Sequence, residues 1–276
     1  MAITIASTTS QQASVGFVRK LFASIWPPVA TLGVFVGIWY FVSYVVLPAR
    51  VEYILPPPHE VVKVGVLTWN NFKTILEGLW GTSQVVLIGL AISTTLGTLT
   101  AVLMSQARWI ERTLYPYAVA LQAIPIVAIV PLIGVFWDYG FNSRVLVAII
   151  ISIFPIISNT VFGLRSAEPN LHDLMTLNGA GRLKRLWKLQ FPSALPAFFA
   201  GLRISAGLGV VGTIVGEFFF SRGDIKGLGR LITKAWQVQA HAPQIYTAIF
   251  FCCALGIVLF WFAGGTGRLA TRHWQE

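Results

Sequence analysis

Of the 276 residues, 55% are hydrophobic and 11% charged, and mean hydropathy is +0.72; ordinary soluble domains carry about 25% charged residues. That composition excludes a soluble domain with one core, so lipid is the solvent for much of the surface. The formal charge of +10 would suit nucleic acid, but Lys and Arg are scattered through short segments between apolar runs, which is membrane topology and not a phosphate-binding face.

The first 26 residues are rich in Ser, Thr and Gln and carry no charge before Arg19 and Lys20. Without an early basic region or a small-residue cleavage site they make a poor signal peptide. They read as a cytoplasmic tail (1–27) before a six-helix membrane domain (28–264) and a second cytoplasmic tail (265–276). The fold class is an all-α integral membrane protein. Six apolar runs are long enough to cross a hydrocarbon core of ~30 Å, at approximately 28–47, 80–104, 113–136, 144–164, 193–216 and 244–264. They are continuous and lack the alternation of barrel strands. Pro27 and Pro28 open the first, where a missing N–H costs nothing. A slight excess of Lys and Arg on the side of the termini favours a cytoplasmic location for both, the orientation that the resemblance given below implies.

Between the first two runs, Leu55-Pro56-Pro57-Pro58 makes a stiff turn. After it, Val61, Val64, Leu67, Phe72, Ile75 and Leu79 oppose Glu60, Lys63, Asn70 and Lys73 at helical spacing. The segment reads as one outer amphipathic helix, either interfacial or simply packed on the bundle. Pro125 and Pro131 in the third run and Pro155 in the fourth each remove a backbone hydrogen bond, making them hinge candidates or ordinary kinks. Polar groups at membrane depth are costly. Gln122, Ser158, Asn159, Thr160, Thr213 and Glu217 are therefore candidates for a translocation path. Glu217 is either a cavity carboxylate or a helix-end group paired with Arg222. Arg203, towards the inner end of the fifth run, reads as an anchor that snorkels to headgroups. Gly201, Gly207, Gly209, Gly212 and Gly216 permit close helix approach.

Residues 165–192 exceed what a connector needs. Pro169 opens a helix, Gly179 is placed to cap its end, and Arg182, Lys184, Arg185 and Lys188 follow before Pro192. His59 and His241 lack ligand-spaced partners, and Cys252-Cys253 sit in an apolar run, so no metal site is expected.

At this loop the chain resembles a known family. Gly179-Ala180-Gly181-Arg182, Phe191-Pro192-Ser193-Ala194-Leu195-Pro196 and Gly201-Leu202-Arg203 are similar to the permease motif of type I ABC importers. Asp173-Leu174-Met175 stands where the family has Glu-Ala-Ala, keeping the acid and enlarging the two small residues. Ile124 to Leu132, Phe154-Pro155, Asn159-Thr160, Gly163-Leu164, Gly216-Glu217 and Gly227-Leu228-Gly229 resemble the branch importing nitrate, sulfonates, taurine, bicarbonate or pyrimidine vitamin precursors. The resemblance covers roughly 50–265. It implies a non-catalytic permease of the bacterial inner membrane whose coupling helix engages a partner ATPase. Leu171, Asp173, Leu174, Met175, Leu177, Gly179 and Ala180 would form that contact, unless the apolar ones pack on their own chain. It also implies a second permease copy, two ATPase subunits holding ATP and Mg, and an extracytoplasmic binding protein. This chain would bind no cofactor and have no catalytic residue. No phosphate loop is present, so ATP must sit on another chain. The rival reading, an ion-gradient-driven transporter, needs intramembrane ionisable residues, and only Glu217 and Arg203 come near.

Overall fold

The computed structural model describes residues 26–48, 54–220, 226–237 and 242–272. Within them every regular element is helical: α1 (Trp26–Val46), α2 (Pro58–Val62), α3 (Trp69–Gln106), α4 (Arg108–Ala123), α5 (Ile126–Trp137), α6 (Phe141–Arg165), α7 (Pro169–Leu177), α8 (Arg182–Arg185), α9 (Phe191–Phe219), α10 (Leu228–Gln237) and α11 (Ala242–Thr271). Five helices are long and apolar enough to cross a membrane, and the pair α4–α5, bent by 99° at its break, supplies a sixth.

The core is a three-helix wall. α6 and α9 run antiparallel and touch at small residues. A β-carbon at Gly163 would stand 2.8 Å from Cα of Ala194, one at Gly201 2.7 Å from the Pro155 carbonyl, and one at Gly212 3.1 Å from Cα of Ala148. α3 lies parallel to α6, with Gly89 on Ala148 and Gly97 on Ile156. Ser152 binds the three together midway, donating to Ala148 O (2.7 Å) and meeting Ser93 Oγ at 3.0 Å, while Ser205 donates to its carbonyl (2.6 Å). With little hydrophobic force between helices in lipid, such close approach and interhelical hydrogen bonds hold the bundle. α1 is peripheral, fastened through Trp39 Nε1 to Pro56 O, Ser43 Oγ to Leu55 O and the ring of Tyr246.

Three expected boundaries move. The outer amphipathic segment is not one helix: α2 and a π turn at Lys63–Leu67 end at Thr68, and Phe72, Ile75 and Leu79 belong to α3. At 38 residues, α3 is about 57 Å long at 1.5 Å per residue, so its first turns project beyond a ~30 Å core. The third span is broken, because Ile124 is extended ahead of Pro125 (ψ 125°) as the proline ring demands. Pro131 and Pro155 are carried inside helices without a break. Pro192, a residue that the sequence suggests as the point where the chain turns up into the fifth span, does not turn it either. Helical structure runs continuously from Arg182 to Phe219, and the π turn Leu186–Gln190 just before Pro192 accommodates the missing N–H.

Candidate functional site

The bundle has two ends. One carries α7, the end of α6 and the start of α9; the other carries α2, α10, the end of α9 and the start of α11.

At the first end, α7 is a short rod built from local rules. Pro169 occupies its first turn, and Gly179, at φ +64°, ends it. Ala180 N–H donates to Met175 O (2.9 Å) and Gly179 N–H to Thr176 O (3.0 Å), which is a Schellman cap. Arg185 Nη2 donates to Thr176 Oγ1 (2.8 Å), tying the rod to α8. None of its residues is buried; Leu171, Asp173 and Leu174 are exposed, Met175 is half-buried, and Leu177 is 86% exposed. Leu171, Leu174 and Leu177 are thus left largely uncovered by their own chain, and Met175 is partly covered. Beside it, Arg165 and Glu111 form an ion pair that joins α6 to α4.

At the bend, Gln122 and Pro125 are exposed. Ile124 N–H closes on Ala120 O and Ala128 N–H on Pro125 O, so two half-helices end within the hydrophobic depth of one span. Such discontinuous helices present backbone dipoles towards a path. Ser158 and Asn159 are half-buried, Asn159 Nδ2 donating to Pro155 O (2.8 Å). Thr160 and Thr213 are buried, with hydroxyls that lack a partner among the described residues. These polar residues do not converge. In the antiparallel register Thr160 lies near the α7 end and Thr213 near the other, about 20 Å apart at 1.5 Å per residue.

At the second end, Glu217 is 1% exposed and clasped inside the protomer. Thr82 Oγ1 on α3 meets Oε1 at 2.8 Å and Oε2 at 3.1 Å, and Gly229 N–H of α10 donates to Oε2 (2.7 Å). Thr82 in turn accepts from Leu228 N–H (2.9 Å). A β-carbon at Gly227 would stand 2.5 Å from the Glu217 carboxyl carbon, so the loop before α10 is seated directly on the acid. Arg222, its expected partner, lies outside the described residues, as does His241. Sequence reasoning passed over two members of this clasp. Arg144, fully buried, donates through Nε (2.9 Å) and Nη2 (2.5 Å) to Phe220 O, placing positive charge on the C-terminus of α9 close to Glu217. Thr82 is the other. The cation at the very start of an apolar run was the signal for Arg144; nothing set Thr82 apart from other helix threonines. Among the described residues no cluster of His, Cys, Asp and Glu could hold a metal.

An all-α bundle of apolar spans, one of them broken, with a loop helix left uncovered, is a multi-pass membrane protein with the architecture of a type I permease. Residues 93–266 match the binding-protein-dependent transport system inner membrane component family, and the chain belongs to it. It is 35% identical to the formylaminopyrimidine transport permease ThiX of Halalkalibacterium halodurans over 75% of this chain and 81% of that one. It is 38% identical to the riboflavin transport permease RibX of Chloroflexus aurantiacus over 61% of each. The nitrate import permease NrtB of Synechococcus elongatus is 25% identical over 98% of this chain and 99% of its own. The chain is an ABC importer permease of the branch that its motifs suggested, and the ion-gradient reading is without support.

Proposed function

We propose that two copies of this chain form the path of an importer in the bacterial inner membrane, with the α7 end and both termini in the cytoplasm. A separate ATPase, holding ATP and Mg, receives α7 in a groove on each of two subunits, and an extracytoplasmic binding protein delivers solute to the α10 end. One observation carries the reading: α7 is rigidly capped yet leaves Leu171, Leu174 and Leu177 uncovered. Exposed apolar side chains on a stiff helix outside the spans are an interaction surface. In this scheme Pro125 is the hinge and the bend beside Gln122 lines the path, while Pro131 and Pro155 kink their helices without opening them. Glu217 serves as the clasp that seats α10, not as a charge in the path.

The cargo is a small neutral heteroaromatic ring. The relatives named for pyrimidine and riboflavin transport share 35–38% identity, and the nitrate permease 25%. Replacing Leu174 by Glu tests the docking claim. Expected is a folded, membrane-inserted permease that no longer co-purifies with the ATPase. Unchanged co-purification and unchanged stimulated hydrolysis would remove α7 from the interface.

A further inference from the structure

On the seam between α9 and α11, in the half of the bundle nearer α7, Arg203 has no counter-charge among the described residues. Its guanidinium carbon lies 5.1 Å from the centre of the Phe260 ring. A β-carbon at Gly264 would meet its Nη2 at 2.8 Å, so the fork rests on bare α11 backbone. The Nε is buried, and among the described residues no acceptor reaches it. A guanidinium at this depth is costly unless something anionic meets it, and the ring face offsets only part of that cost.

The protein offers little to meet it. Glu77 and Glu111 are paired with Lys226 and Arg165, and Glu217 is held by Thr82 and Gly229. Glu60 and Asp138 stand at the opposite end, and Glu168 and Asp173 belong to the α7 loop, beyond the start of α9. Glu52, Asp224 and Glu276 lie outside the described residues. A second copy related by an axis along the membrane normal would bring the same acids at the same depths.

What does lie beside Arg203 is a second cation. α9 and α11 are antiparallel, Phe199 packing on Gly267 as Arg203 packs on Gly264. Phe260, Gly264 and Arg268 follow at four-residue intervals, so exposed Arg268 stands on the same stripe, one turn nearer the α7 end. Around this pair α11 presents Trp261, Phe262 and Leu269, all exposed, the surface of a helix facing acyl chains and not water. A guanidinium fork matches two phosphate oxygens, and basic notches between spans on the cytoplasmic side suit anionic headgroups. We propose that Arg203 and Arg268 hold the phosphate of an anionic phospholipid in the leaflet on the α7 side.

The test uses the full chain, in the complex in which it assembles, in nanodiscs of phosphatidylcholine with or without phosphatidylglycerol. Expected is retention of phosphatidylglycerol over phosphatidylcholine in native mass spectra, and a rise in melting temperature of roughly 2–4 °C. Arg203→Gln should lose both while melting like the unmodified protein in phosphatidylcholine alone. Arg203→Lys and Arg268→Gln should each retain part. An Arg203→Gln protein that keeps the full phosphatidylglycerol increment overturns the proposal. So does an equal rise given by inorganic phosphate in phosphatidylcholine discs, which would assign the notch to a soluble anion. If Arg203→Gln does not fold, the unmodified protein and Arg268→Gln still decide, since no preference for the anionic lipid in the former contradicts the site.

Discussion

Gly227 and Gly33 show how much a single hydrogen in place of a side chain depends on its surroundings. At Gly33 in α1 an added β-carbon meets nothing within 4 Å, whereas at Gly227 it would strike the Glu217 carboxylate. Gly227→Ala should therefore lift the α10 loop off its acid and destabilise the protein by about 1–3 kcal/mol, while Gly33→Ala should be neutral or gain up to ~1 kcal/mol of helix propensity. Thermal unfolding of the two purified variants checks the contrast; equal melting temperatures would contradict the clasp. Glu217→Gln keeps the shape but weakens the bonds from Thr82 and Gly229, at a cost of about 1–3 kcal/mol. The expected result is lower stability with uptake per folded complex unchanged. A carboxylate acting on solute in the path would give the reverse, altered uptake at unchanged stability.

Among the elements, α7 was the most legible, because its boundaries are set locally. Proline fits without losing a hydrogen bond only in the first turn of a helix, and a left-handed terminal residue asks for glycine, so Pro169 and Gly179 announce the rod without any tertiary information. Gly179→Val would force a β-branched residue to φ +64° in open space, where the strain, about 1–2 kcal/mol, is purely backbone. The expected outcome is a permease that still inserts but loses stimulation of ATP hydrolysis by the binding protein, with Gly179→Asn largely restoring it because Asn tolerates this conformation. Stimulated hydrolysis that survives in the Val variant would count against α7 as the coupling element. The bend between α4 and α5 was only half legible. Three prolines looked alike in sequence, but Pro125 alone breaks its span: Pro155 is buried in α6 with its carbonyl against Gly201 of α9, and Pro131 is carried on the exposed side of α5. The outer amphipathic segment misled for a related reason: its spacing continues through Thr68, where the backbone leaves the helix (ψ 105°) and α3 begins anew. The clasp was the least legible, since its parts come from positions 82, 144, 217 and 229. Gly216-Glu217 and Gly227-Leu228-Gly229 stood out as motifs, yet only the fold shows that the first receives the second.

For the molecule as a whole, α4 and α5 expose apolar side chains, including Tyr117, Val127, Val135 and Phe136, a surface for lipid or for a second copy. The proposed importer pairs two copies of this chain, each with one docking helix. Native mass spectrometry of the complex should give two copies of this chain and two ATPase subunits; one copy, or a second kind of permease, would contradict that stoichiometry. The central claim is that this chain is the path of an ATP-driven importer, and reconstitution addresses it most directly. Liposomes containing the permease and its ATPase, with binding protein outside and radiolabelled pyrimidine-type solute, would be assayed with ATP inside and an uncoupler present. Uptake that requires both ATP and the binding protein and is indifferent to the uncoupler is the predicted result; uptake that runs on a proton or sodium gradient without ATP would contradict it.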